Sequence, residues 1–182
     1  MNTLDKYISE ALELGFSHAV LIENFELVCE ADIREYCNAG QCRNYGSTWV
    51  CPPGCGTLEE CQSNADSYRT GIVLQTVGGI PLIGKEMKLH SLQKAHNKKF
   101  LMLADTARHE GLDVLPLTTG SCQICSSCTF PRKPCRSPDR RMHSLSAYGI
   151  NVGRLCETAG LEYSFRKDIV YFTAYLGLAT VN

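Results

Sequence analysis

The chain has 182 residues, a formal net charge of −1, 44% hydrophobic and 20% charged residues. That length can bury one sizeable core, so a single domain over 1–182 is expected. Near-zero net charge excludes the strong overall field of nucleic-acid and membrane-surface binders, and neither is expected as a partner. Eleven cysteines are many for this length, and their meaning depends on compartment, because disulfides persist under oxidising conditions. The start, M-N-T-L-D-K-Y-I-S-E, carries early acids and no apolar run, unlike a secretory leader. The most apolar stretch, 169–181, falls short of the roughly 20 residues that cross a bilayer. A reducing cytoplasm is the expected location. There, clustered cysteines are read as metal ligands before disulfides, and an odd total argues against complete pairing.

Residues 2–15 read as an amphipathic helix with Leu4, Ile8, Ala11 and Leu12 on one face, Asn2 as its cap and Gly15 closing it. Residues 16–22 and 25–29 read as strands, joined in a hairpin across Glu23 and Asn24. His18 in the first strand is expected to be packed or hydrogen-bonded rather than a ligand. A cysteine group follows: Cys37, Cys42, Cys51 and Cys55. Its centre, W-V-C-P-P-G-C-G, is too rich in Pro and Gly for regular structure and must turn tightly. Gly54 and Gly56 would let backbone approach a bulky ligand. Thr57 to Glu60 has the pattern of a capping box, so a helix begins at once. Its apolar stripe is Leu58, Cys61, Ala65 and Tyr68. Cys61 is thus either a small core residue or a ligand recruited from that helix.

Residues 70–77 read as a buried strand ended by Gly78 and Gly79. The longest helix covers 85–110, with Leu89, Leu92, Phe100, Leu103 and Ala107 as its stripe, Arg108 and His109 at the negative end of its dipole, and Gly111 as its cap. His96 falls on the stripe as an interface histidine. Residues 112–118 form a strand that Pro116 places at an edge or a bulge. The segment 144–159 reads as one helix with Leu145, Tyr148, Val152, Leu155 and Ala159 inward, Gly149 and Gly153 marking close packing. Residues 162–166 and 169–178 read as a hairpin across Lys167 and Asp168. The sum is an α+β or α/β fold, with a single sheet, flanking helices and two long cysteine loops.

The second loop carries the sharper chemistry. Cys122 to Cys135 reads C-Q-I-C-S-S-C-T-F-P-R-K-P-C. A C-x2-C-x2-C turn can wrap three iron corners of a cubane. Cys135 can reach the fourth, with Pro131 and Pro134 stiffening the approach. Zinc more often takes ligands as pairs on two knuckles. Cys122, Cys125, Cys128 and Cys135 are therefore candidate ligands of a [4Fe-4S] cluster. Cys37, Cys42, Cys51 and Cys55 are a second four-thiol set, whose wider gaps suit a second such cluster or zinc. Cys29, Cys61 and Cys156 remain, all within strand or helix patterns where structural cysteines belong.

Around the second group, Arg132, Lys133, Arg136, Arg140 and Arg141 face a single acid, Asp139. They could offset cluster charge, dock an acidic partner, or form an ordinary solvated loop. His143 could replace a thiolate, although four cysteines suffice. Tyr45, Trp49 and Phe130 could shield a cluster or simply pack the loops. No phosphate-binding, dinucleotide, zinc-protease or nucleophile-elbow motif is present, and no catalytic acid, base or nucleophile is identifiable.

R-x2-C at Arg34 to Cys37, C-R-N-Y-G-S-T-W-V-C-P-P from Cys42, the block from Cys122 through C-R-S-P, and S-x2-A-Y-G-I-N-V from Ser144 resemble a family of predicted metal-binding proteins, domain of unknown function 2284. The likeness covers nearly the whole chain, and all eight loop cysteines match. It implies soluble microbial proteins, often from anaerobes, with cysteine-bound metal; it supplies no reaction. The expectation is an iron–sulfur protein with two [4Fe-4S] clusters that transfers electrons to or from a redox partner protein, or serves as a subunit of a redox enzyme. The alternatives are a zinc-stabilised interaction module and a carrier of metal or clusters.

Overall fold

The computed structural model describes residues 4–23, 25–81 and 83–180. Ten elements follow in chain order: α1 (Asp5–Glu13), β1 (His18–Glu23), α2 (Ala31–Glu35), α3 (Leu58–Ala65), β2 (Thr70–Gly79), α4 (Lys85–His109), β3 (Leu112–Thr118), β4 (His143–Ser144), α5 (Val152–Thr158) and β5 (Ile169–Thr180). Single 3-10 turns occupy Pro138–Arg140 and Ser146–Tyr148. The strands form one open mixed sheet in the order β1-β2-β5-β3-β4, antiparallel except for the short parallel pair β3–β4. The fold is α+β.

Side chains of a strand alternate between its faces, and both faces of this sheet are covered. Ile72 and Leu74 of β2 and Ala174, Leu176 and Leu178 of β5 pack with Tyr7 and Ala11 of α1 and Phe100, Leu103, Ala104 and Ala107 of α4. Val73, Leu115, Leu117 and Tyr175 point the other way, onto Cys61 and Ala65 of α3, Leu155 of α5, and Leu145, Tyr148 and Ile150. Double coverage explains why β2 reads as an almost unbroken apolar run rather than an alternating one. His96 is fully buried at the interface between α4 and the sheet, its Nδ1 2.9 Å from the Thr76 hydroxyl and its ring edge-on to Phe16 at 5.3 Å. β4 accompanies β3 only at Leu117 and Thr118, so the rest of that side, Pro116 included, is an edge among the described residues.

Four expectations from the sequence are corrected. Residues 25–29 form no strand, and β1 pairs with β2 instead, His18 opposite Gln75. The Gln62 side chain replaces a strand partner: its amide donates to Leu27 O and its oxygen accepts from Cys29 N, both at 2.8 Å. His18 itself is exposed. Residues 144–159 are not one helix. Ser144 belongs to β4, and Gly149 turns the chain at φ +74 while a Cβ there would lie 2.6 Å from Glu30 O. The helix restarts at Val152, where the Asn151 side chain accepts from Arg154 N. Residues 162–166 form no strand either. β5 is central and both of its edges are already paired, with β2 and with β3, so no edge remains for a hairpin partner. The expected cap Asn2 and the turn residue Asn24 lie outside the described residues.

Candidate metal centre

The first cysteine loop begins where α2 ends and closes where α3 begins. Thr57 and Glu60 form the capping box: Glu60 N donates to the Thr57 hydroxyl and Thr57 N to the Glu60 carboxylate. Within the loop, Asn38 O accepts from Cys42 N, Pro52 O from Gly46 N and Cys51 O from Cys55 N, a succession of tight turns. The base is tied by Arg34. Its guanidinium donates to Gly56 O at 2.6 Å, to Ala147 O, and to the Cys61 sulfur at 3.5 Å. One side chain thereby joins the two ends of the loop to the turn after β4.

The thiols of this loop are mostly withdrawn from water. Cys37 and Cys51 are buried, and Cys61 is 1% exposed. Cys37 lies near both Cys42 and Cys51, and burial pushes its thiol up. The Cys61 thiol donates to Cys55 O at 3.7 Å, which sets the two cysteines side by side. The contact raises Cys55 and lowers Cys61, which Arg34 further favours as the thiolate. Cys61 therefore joins the first group in space, although it lies on the next helix. Cys29 also stands close to Cys61, and burial first, then that neighbour, pushes it up to about 12. Cys156 is apart from all of these, fully buried with its sulfur 3.5 Å from the Thr173 hydroxyl.

The second loop leaves the end of β3. Thr129 and Pro134 close a turn through the Thr129 hydroxyl, and Arg136 donates to Ser127 O at 2.8 Å, drawing Cys135 back toward the first three cysteines. Cys122, Cys125, Cys128 and Cys135 all line one cavity of about 340 Å³. Burial raises the Cys122 thiol, while the backbone N–H groups of Ile124 and Met142 favour its thiolate. Three arginines, Arg43, Arg136 and Arg141, share the cavity lining, which contains no Asp or Glu. Arg140 of the basic segment is already engaged by Asp105, as is Arg108. His143 does not line this cavity; it packs edge-on to Tyr148 at 5.1 Å, and burial pushes it down to about 4, so it is neutral.

The two loops bear directly on each other. Trp49 and Phe130 pack edge-to-face at 4.9 Å, and the Trp49 indole donates to Lys133 O at 3.2 Å. Gly54, expected to give space to a ligand, gives it to Phe130: a Cβ there would lie 2.9 Å from the ring and 2.4 Å from Thr48 O. Cys51 Sγ is 3.7 Å from the hydroxyl of Ser121, which in turn lies 3.3 Å from the Thr48 hydroxyl. Tyr45 stays partly exposed.

Among the described residues, no three His, Cys, Asp or Glu side chains gather closely enough to hold one metal ion between them. The donor set nevertheless suits soft metal: thiols from one short loop, around one cavity, with cations and no competing carboxylate in its lining. Arg34, Arg43, Ser121 and Cys61 are the parts of the site that spacing alone underplays. Arg34 is signalled in the sequence only as the first residue of R-x2-C. No helix among the described residues is long and apolar enough to cross a membrane.

No curated protein and no solved structure matches this chain. Residues 20–178, a span that includes every cysteine, match the family described as predicted metal-binding protein (DUF2284), and the chain belongs to that family.

Proposed function

We propose that this protein is a cytoplasmic iron–sulfur electron carrier, acting alone or as a subunit of a redox enzyme. Cys122, Cys125, Cys128 and Cys135 hold one [4Fe-4S] cluster, and Cys37, Cys42, Cys51 and Cys55 hold a second. The observation that carries this reading is the convergence of all four thiols of the C-x2-C-x2-C-x6-C segment on one cavity of about 340 Å³ whose lining has three arginines and no carboxylate.

The arrangement of donors supports iron–sulfur over zinc. Four thiols on one C-x2-C-x2-C-x6-C segment differ from the paired knuckles that zinc usually takes. A cubane gives each thiolate its own iron and accepts a wider ring of ligands around a hole. Such a cluster takes up and returns one electron at a time. The chain's own residues do the rest. Arg43, Arg136 and Arg141 offset anionic charge, the N–H groups of Ile124 and Met142 point at Cys122, and Trp49 with Phe130 excludes water between the loops. The contact of Cys51 with Ser121 supports placing the two centres side by side. Exposed Arg132 and Lys133 offer a docking patch to an acidic redox partner.

The test is anaerobic reconstitution with iron and sulfide, followed by metal analysis, absorbance and magnetic resonance. About eight irons per chain, broad absorbance near roughly 400 nm and coupling between the reduced centres are expected. About four irons with one zinc would overturn the second cluster, and a colourless zinc protein would overturn both. Repeated reduction and reoxidation should leave the metal in place; loss to an apo-acceptor would indicate a carrier instead.

A further inference from the structure

The cavity of the second loop is built from three segments, two of which contribute no cysteine to its lining. One is the stretch from Arg43 to Val50, and the other is the first half of α4, through His90 and Gln93. The side chains of Arg43 and His90 are exposed and make no hydrogen bond or ion pair with the protein among the described residues. Arg136 and Arg141 donate only to neutral carbonyls, Ser127 O at 2.8 Å and Pro138 O at 3.1 Å. Hydroxyls of Thr48, Ser126 and Ser137 complete a lining rich in donors, while that of Ser47 is taken by Asn44 O at 2.7 Å.

The donors decide what this lining is for. A four-thiolate [4Fe-4S] centre carries about −2 when oxidised. With the second proposed centre beside it, the three guanidiniums are not in excess, so the case for a further ligand rests on the donors that lack a protein partner. Arg43 and His90, on segments other than the cysteine loop, are the side chains left without a protein partner. Resting on the proposed cluster at Cys122, Cys125, Cys128 and Cys135, we propose that the cavity also binds a small oxyanion, a carboxylate or a phosphate, through Arg43 and His90 beside the cysteine loop. Arg43 supplies the flat fork that matches two oxygens of such a group, and His90 supplies a ring N–H. The ligand class makes the cavity a substrate or effector site next to a redox centre rather than only a pocket for the cluster.

The experiment uses the full-length reconstituted protein with its iron and sulfide content measured first. Inorganic phosphate and oxalate are titrated by calorimetry and by the magnetic resonance signal of the reduced protein, with perchlorate at equal ionic strength as control. Saturable binding of either anion, a shifted signal, and at least tenfold weaker binding in Arg43→Gln are expected, with Arg43→Lys intermediate and His90→Ala also weakened. Iron and sulfide are measured in every variant and anion binding is expressed per loaded cluster, so that a loss of cluster is not read as a loss of the anion site. Full cluster content without saturable anion binding would overturn the anion site and leave the cluster reading standing, as would binding unmoved by Arg43→Gln and His90→Ala. Saturable, Arg43-dependent binding to a protein that takes up no iron would support the anion site and overturn the cluster.

Discussion

The sulfur of Cys51 lies 3.7 Å from the hydroxyl of Ser121, the residue immediately before Cys122. Two loops separated by more than sixty residues of chain thus touch at the positions where each presents a thiol. The contact consists of a few polar atoms and the Trp49–Phe130 pair, so a change that parts the loops should be felt by both. Gly54 tests this directly. In Gly54→Ala the new methyl meets Phe130 and the backbone oxygen of Thr48, and backbone cannot move aside as a flexible side chain would. The expected cost is about 1–3 kcal/mol, with a red-shifted emission of Trp49, the sole tryptophan, and weaker metal binding by both loops. Unchanged melting temperature and emission would show that the loops tolerate separation.

Cys125 and Cys156 make a matched pair of substitutions. Cys125 lines the cavity, whereas Cys156 is sealed between α5 and the sheet beside Thr173. Cys125→Ser should abolish or greatly weaken metal at the second loop, because a hard hydroxyl replaces a soft thiolate poorly. Cys156→Ala should cost about 1 kcal/mol of stability and leave metal content intact. Metal analysis and thermal unfolding of both variants check the pair. The reverse pattern would reassign the ligands.

Arg34 holds the first loop shut without carrying a thiol. Its three acceptors, Gly56 O, Ala147 O and Cys61 Sγ, belong to three different segments. Arg34→Met should cost about 2–3 kcal/mol, and Arg34→Lys should recover little, since an ammonium cannot span all three. Denaturant unfolding measures this. The readout specific to the loop is faster metal loss to a chelator from the Cys37–Cys55 group than from Cys122–Cys135. Equal rates from both groups would rule out a local role for Arg34.

His96 gives the fold an acid sensitivity of known sign. Burial, reinforced by the charge of nearby Lys99, pushes its imidazole down to about 3, so it stays neutral while folded. The unfolded chain takes up a proton near pH 6.5. Between those values the unfolded state binds more protons, so stability falls as pH drops below about 6.5. From pH 7 to pH 5 the loss from this group is about 2 kcal/mol. His96→Gln should show a shallower decline over that interval in unfolding experiments run in parallel. Identical slopes would mean that His96 contributes nothing to acid lability.

The parts of the fold legible in the sequence were those settled locally. The Thr57–Glu60 box starts α3 where its pattern says, and the Cys-Pro-Pro-Gly-Cys turn follows from residues that permit little else. The cavity cysteines were legible because a short loop fixes its own geometry. The failures share one cause, which is a partner remote in sequence. Leu27 and Cys29 find their hydrogen bonds on Gln62, Gly149 is turned by the approach of Glu30, and β5 is claimed on both sides by strands more than fifty residues away. Cys61 was ambiguous for the same reason. Its helical stripe marked it as core, and only the folded chain brings it against Cys55 and Arg34.

The position of β5 reaches into how the protein comes to hold metal at all. β5 is the last strand to be synthesised, after every one of the cysteines, yet it lies between β2 and β3 and is nearly the whole sheet partnership of β3. While the nascent chain lacks residues 169–180, β3 has α4 packed on one face but, among the described residues, no strand partner except the two-residue β4. All eleven thiols are therefore synthesised before the frame that aligns them is complete. The two loops are brought into register only once β5 is in place.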